Sequence, residues 1–199
     1  MKIHNIEQGT PEWLELRKGK MTASHAQAIG NNGKGLETYV LEMMAETYSS
    51  AEKEQFTNEH MERGNELEPQ ARGMYELKND CTVEEVGFVE YNEYAGMSPD
   101  GLVGDDGLIE IKCMSNKNHF NVILNGLKIV SSSYIWQIQM QLLIAERKWC
   151  DLICYNPNFE KDLILFRIEP DKEKQEKLLK GINKGIELIK DIKNKLNQN

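Results

Sequence analysis

Asp100, Glu110 and Lys112 fall within one short stretch, SPDGLVGDDGLIEIKC, residues 98–113. Two carboxylates and the backbone carbonyl of Ile111 offer hard oxygen ligands of the kind that suit Mg²⁺, an ion that keeps several of its waters. Lys112 would then orient or help deprotonate a water on that ion for in-line attack on a phosphodiester. The plainer reading of the same residues is a solvated strand face with a cross-strand ion pair, worth under ~1 kcal/mol.

The spacing decides whether these charges can meet. Apolar runs at 101–103 and 108–111 flank Asp105-Asp106-Gly107, which is a hairpin pattern. A three-residue loop with Gly107 in the left-handed conformation pairs Asp100 with Lys112 and puts Glu110 on the same face. A two-residue loop turns Asp100 to the opposite face, and the site then forms only if Gly101 kinks the strand.

Other charged positions lie on helices. Thr10-Pro11-Glu12 reads as a helix start, with Trp13 and Leu16 inward, Arg17 one turn beyond Trp13, and Gly19 at the end. A second cap is expected at Thr22-Ala23-Ser24, so that Arg17 and Ser24 would form an anion site beside a helix N-terminus, against the plainer view of ordinary capping. Residues 30–35 read as a flexible loop that does not fit a P-loop, and residues 36–48 as a helix with Leu36, Tyr39, Val40, Met43 and Met44 inward. Residues 49–58 read as a polar loop. A helix over 61–77 carries Leu67, Ala71, Met74 and Tyr75 on one stripe; Pro69 implies that it starts near Asn65 or bends. On it, Glu68 is either an ordinary ion-pair partner of Arg72 or a third carboxylate reaching the cleft.

The rest of the chain reads as a strand over 82–91, the hairpin, a short helix over 117–125, a helix capped at 131–133, two strands at 149–155 and 163–168, and a Lys-rich terminal helix. Tyr134, Gln137 and Gln141 share a face of the helix after Ser131, where glutamines turn inward only if a cleft adjoins. The whole is a single α/β domain spanning 1–199, a central mixed β-sheet flanked by helices, with its core over about 8–168 and a terminal helix over about 171–197.

At 199 residues, 40% hydrophobic and 28% charged, the chain suits one globular core. It has no apolar run of spanning length and no signal-like N-terminus, which gives the expectation of a cytoplasmic protein with no membrane partner. Four scattered cysteines read as reduced thiols and give an iron–sulfur cluster no support. The net charge of −8 disfavours general attraction to nucleic acid, although it leaves room for a local basic groove or a bound cation.

The pieces QGTPEWLELRKGKMTAS, RGNELEPQAR, SPDGL, LIEIKC and YIWQIQ occur in that order between about residues 8 and 168. In these the chain resembles the lambda-exonuclease-like phage recombination nucleases of the YqaJ type, within the PD-(D/E)xK superfamily and its restriction-endonuclease-like core. The resemblance implies Asp100, Glu110 and the Ile111 carbonyl as metal ligands and Lys112 as the catalytic lysine. It implies Glu68, in preference to Glu66, as completing a site for a second Mg²⁺, with Mn²⁺ as a substitute. It further implies Arg17 and Ser24 on the 5′-phosphate of the digested strand, and Gln137, Ser98 and Tyr134 as substrate contacts. The implied activity is 5′→3′ digestion of one strand of linear duplex DNA, which leaves a 3′ single strand for an annealing protein. The implied assembly is a homotrimer. Alternatives on the same residues are a restriction-like endonuclease and a nuclease-fold protein that only binds DNA or a partner. A glycosidase would also use two carboxylates, but the adjacent lysine fits phosphate chemistry better.

Overall fold

A computed structural model describes residues 1–50 and 59–198, so most of the expected polar loop at 49–58 lies outside the described residues. In chain order the elements are β1 (Lys2–His4), α1 (Pro11–Arg17), β2 (Met21–Thr22), a 3₁₀ turn (Ala23–His25), α2 (Ala26–Asn31), α3 (Lys34–Tyr48) and α4 (Glu59–Asn79). There follow β3 (Val83–Glu84), β4 (Phe88–Asn92), β5 (Ala95–Met97), β6 (Gly101–Val103), β7 (Gly107–Cys113) and α5 (Asn116–Asn125). A 3₁₀ turn (Gly126–Ile129), α6 (Ser132–Ala145), β8 (Trp149–Tyr155), β9 (Leu163–Ile168) and α7 (Lys172–Gln198) complete the chain.

Among the described residues the strands form two mixed sheets instead of one. The first has the order β1-β4-β5-β2 and the second β3-β6-β7-β8-β9. Residues 82–91 are accordingly not one strand: Val83–Glu84 edges the larger sheet and Phe88–Asn92 sits inside the smaller. Val86 and Gly87, between them, are buried where the chain passes from one sheet to the other, so apolar character alone could not reveal the break. β1 has no sequence signature, because three residues with only His4 half-buried carry no pattern.

β7 is the central strand that the site depends on. It pairs antiparallel with β6 and parallel with β8. Strand alternation sends Leu108 and Glu110 to one face and Ile109 and Ile111 to the other. Leu108 joins the main core with Ile138 and Leu142 of α6, while Ile109 and Ile111 join a second core with Ala71 and Tyr75 of α4. The larger sheet is therefore covered by helices on both sides. α4 is also pinned by polar contacts, since the Tyr75 hydroxyl donates to Asp151 Oδ2 at 2.8 Å and Arg167 donates twice to the same carboxylate.

The helices largely follow the expected pattern. Thr10 caps α1, accepting from the Trp13 N–H at 3.3 Å. All five inward residues of α3 are buried. α4 runs through Pro69 from Glu59, which removes the start near Asn65. The supposed flexible loop at 30–35 is a tight turn: Asn32 takes a left-handed conformation at φ 52°, and Gly33 caps α3. α7 buries Leu178, Ile182 and Ile189 against α2, α3 and α6. Its close approach to α2 needs Gly181, where a Cβ would lie 1.9 Å from the Ile29 carbonyl oxygen.

Candidate active site

The hairpin between β6 and β7 has a three-residue loop, but it is Gly104-Asp105-Asp106, with Gly104 at φ 51°. Gly107 is a strand residue facing Val103. The expected register is thus shifted by two residues, and Asp100, the residue just before β6, follows the same register to a place opposite Glu110 instead of Lys112. A shift of two preserves the face. The acids therefore still meet, and no kink at Gly101 is required.

Glu110 is 1% exposed. A carboxylate so buried requires donors, and three side chains supply them. Gln137 Nε2 donates to Oε1 at 2.7 Å, Gln141 Nε2 donates to Oε2 at 2.6 Å, and Lys112 Nζ makes a short contact to Oε1. Gln137 and Gln141 stand one turn apart on α6, which is why both reach the same carboxylate. Gln141 is fully buried, so the glutamine face of this helix does turn inward, although only Gln137 and Tyr134 were expected to act in the site. The signal was the i,i+4 glutamine pair on an otherwise apolar helix.

Asp100 accepts the Ile111 N–H on Oδ2 at 2.6 Å. Burial pushes its carboxyl well above the usual range, and the charges of Glu110 and Glu68 push it further. Glu68 arrives from the other layer of the domain, on α4. Its carboxyl is also pushed up by burial, while Arg72, donating at 2.7 Å, opposes the shift. Arg72 is shared with Glu85 at 2.5 Å. Glu66 is exposed. For Lys112, burial alone would lower the ammonium's pKa, but Glu110 and Asp100 outweigh it and hold the pKa above the ordinary value. Its Nζ lies 4.8 Å from the centre of the Tyr134 ring. Burial raises the neighbouring Cys113 thiol to about 11, leaving it neutral and a poor nucleophile.

Three mutually repelling carboxylates beside one lysine are a set that a divalent cation would relieve. Asp100, Glu110 and the Ile111 carbonyl fit a hard cation that retains waters. Among the described residues, however, no three His, Cys, Asp or Glu side chains are gathered as a ready-made cage. Glu110 is engaged by its amide and ammonium donors, and Glu68 is turned to Arg72.

A second part of the site lies around Ser98, two residues before Asp100. Ser98 Oγ accepts from Arg17 Nη1 at 2.9 Å and from Trp13 Nε1 at 3.0 Å. The Arg17 guanidinium stacks on the Trp13 ring at 4.0 Å. Burial pulls its pKa below the ordinary arginine value, with the nearby Tyr39 acting against the shift. Gln8, another residue not singled out beforehand, fixes the backbone here by donating to the Pro99 carbonyl at 2.9 Å and the Val86 carbonyl at 3.1 Å.

Arg17 and Ser24 line one cleft of about 590 Å³, together with Lys18, Lys20, His25 and Tyr39. Glu15, Glu42 and Glu46 also border it, so it is not uniformly basic. The expected capping by Thr22 and Ser24 is corrected. Thr22 ends a strand, neither hydroxyl caps a helix, and α2 begins only at Ala26. Ser24 Oγ instead bonds Thr22 Oγ1 at 3.1 Å and His25 Nδ1 at 3.2 Å.

Residues 12–148 match the YqaJ-like viral recombinase domain. No curated protein matches the chain. Among solved structures, the chain is similar to an alkaline exonuclease, LHK-Exo, from Laribacter hongkongensis, at 32% identity and a TM-score of 0.80, covering 95% of this chain and 99% of that one. The same exonuclease in complex with dAMP superposes at a TM-score of 0.83 with the same identity and coverage. A phage-related exonuclease from Haemophilus somnus 129PT shares the fold at 14% identity and a TM-score of 0.66, covering 89% of this chain and 96% of that one. With the family match over well more than half its length and a near full-length relative at this identity, the chain belongs to the YqaJ-like viral recombinase family.

Proposed function

We propose that the protein is a divalent-cation-dependent deoxyribonuclease that digests one strand of linear duplex DNA from its 5′ end, leaving a 3′ single strand for an annealing partner. The observation that carries this reading is the junction of the two parts of the site. One short segment, Ser98-Pro99-Asp100, joins a half-buried arginine in a cleft to a cluster of carboxylates around a lysine. The family membership, and the exonuclease named among the similar structures, support the same reading.

In this reading Asp100, Glu110 and the Ile111 carbonyl hold Mg²⁺, with Mn²⁺ able to replace it, and Glu68 contributes to a second ion after leaving Arg72. The cations supply neutralisation of charge at the scissile phosphodiester. Lys112 stays protonated, because the flanking carboxylates favour its charged form. An ammonium so held is a poor base, so its part is to orient the attacking water and donate to a non-bridging phosphate oxygen. Tyr134 and Gln137 keep Lys112 and Glu110 in register for that task. Water attacks phosphorus, the P–O3′ bond breaks, and the departing 3′ oxygen takes up a proton. Arg17, aided by Ser24 and Ser98, grips the 5′-phosphate as a charge-assisted fork. A homotrimer is the proposed assembly, since enclosure of DNA does not depend on general attraction by a chain of net charge −8.

The test is digestion of linear and covalently closed circular duplex with Mg²⁺. Loss of the linear form alone is expected. Cutting of the closed circle would favour an endonuclease, and cutting of neither would favour a protein that only binds DNA.

A further inference from the structure

The cleft that holds Arg17 also contains an aromatic pair to which the proposed function gives no role. His25 lies over Tyr39 with ring centroids 4.0 Å apart and planes 9° from parallel. Tyr39 is a firm base. It is 8% exposed, packs in the main core, and its hydroxyl oxygen accepts the Thr22 N–H at 3.0 Å. The plane of His25 is set from the side by Ser24 Oγ at 3.2 Å from Nδ1. His25 itself is exposed. The result is a flat ring held parallel to a buried one, next to the serine and in the same cleft as the arginine assigned to the 5′-phosphate.

A flat, supported, exposed ring beside a phosphate-binding group matches one chemical class well, a nucleotide whose base can stack while its phosphate is held. We propose that His25, backed by Tyr39, is the stacking platform for the 5′-terminal base of the strand being digested. This deepens the proposed function and rests on it. Base–aromatic stacking accepts every base because each has a π-face. The platform would therefore steady the end of any sequence and would not read it. It also suits a cleft bordered by Glu15, Glu42 and Glu46, because stacking holds a nucleotide without adding charge.

The experiment uses linear duplexes with a 5′-phosphate whose terminal nucleotide is either dA or a tetrahydrofuran abasic residue. Initial digestion rates and end affinity with Ca²⁺ are measured for wild type, His25→Ala and His25→Phe, with melting temperatures as a check on folding. Wild type is expected to favour the dA end about tenfold, the equivalent of ~1.4 kcal/mol. His25→Ala should lose that preference and His25→Phe should keep it, unchanged between pH 5.5 and 8. Retention of the full preference by His25→Ala overturns the proposal. So does a preference that fades with rising pH and is absent in His25→Phe, since His25 would then be acting as a cation on the phosphate. If wild type digests linear ends yet is blind to the abasic residue, this proposal fails while the exonuclease reading stands. If linear DNA is not digested at all, the underlying reading fails first.

Discussion

Asp100→Asn should make the cation-free protein more stable while destroying its activity. The Asp100 carboxyl is pushed up first by burial and then by Glu110 and Glu68, with Lys112 and the Ile111 N–H only partly compensating. The folded state therefore holds this proton more tightly than the unfolded chain, whose Asp titrates near about 3.9. Stability is then lost as pH rises from that value through the raised folded value, because over this window the native state binds more protons than the unfolded state. An amide cannot ionise, so the variant escapes the loss, and its oxygen can still accept the 2.6 Å bond from Ile111. Relief of one strained functional group commonly contributes about 0.5–2 kcal/mol. For a chain of this size that corresponds to roughly 1–8 °C in melting temperature. The assay is thermal unfolding in EDTA from pH 4 to 9, repeated with Mn²⁺. The gain should be greatest at the alkaline end and vanish near pH 4, where both proteins are neutral at this position. Mn²⁺ should raise the wild type and leave Asp100→Asn unmoved. A variant less stable than wild type at pH 8, or one whose advantage ignores pH, would refute the claim that crowded carboxylates await a cation.

Three further outcomes follow from named contacts. Lys112→Ala should slow strand cleavage by ~10²–10⁴-fold while Ca²⁺-supported DNA binding persists; turnover above about a tenth of wild type in a single-turnover assay would contradict its role. Gln141→Met removes a buried donor from Glu110 and should weaken Mn²⁺ binding about 10–100-fold in calorimetric titration, the usual cost of losing a partner of a ligand; unchanged affinity would make Gln141 a packing residue only. Arg17→Ala and removal of the 5′-phosphate should each slow digestion, yet together do little more harm than either alone. Initial rates on phosphoryl and hydroxyl ends complete that cycle, and additivity would detach Arg17 from the phosphate.

What was legible in the sequence is what periodicity and local chemistry encode. Asp100, Glu110 and Lys112 were readable because strand alternation fixes a face whichever residue of the loop turns left-handed, provided that the register moves by two. The core stripes of α3 and α7 were readable for the same kind of reason, since helical spacing survives errors at the ends. The split of the strands into two sheets was not. Whether residues 83–92 form one strand or two depends on long-range pairing, with Val83 against Val103 and Val89 against Met97. Nor could the sequence separate Thr22 as a cap from Thr22 as a strand residue, because a hydroxyl before a turn suits both. The inward turn of Gln141 was hidden most deeply. A glutamine looks solvent-facing until it is known that β7 places a carboxylate beneath α6.

In the proposed function, the arrangement around Ser98 lets end recognition and chemistry share one segment of the chain. Trp13 and Arg17 converge on its hydroxyl, Gln8 holds the carbonyl of Pro99, and the next side chain, Asp100, is tied to the Ile111 N–H. Proline restricts the backbone between the two parts, narrowing the conformations open to Ser98 and Pro99. An anion bound by the Arg17 guanidinium would sit one hydrogen bond from Ser98, two residues before Asp100. Sequence order alone suggests two motifs far apart, residues 12–24 and 98–112. In the fold they meet at one segment, Ser98-Pro99-Asp100, which the Arg17 and Trp13 donors hold at one end and the Ile111 N–H at the other.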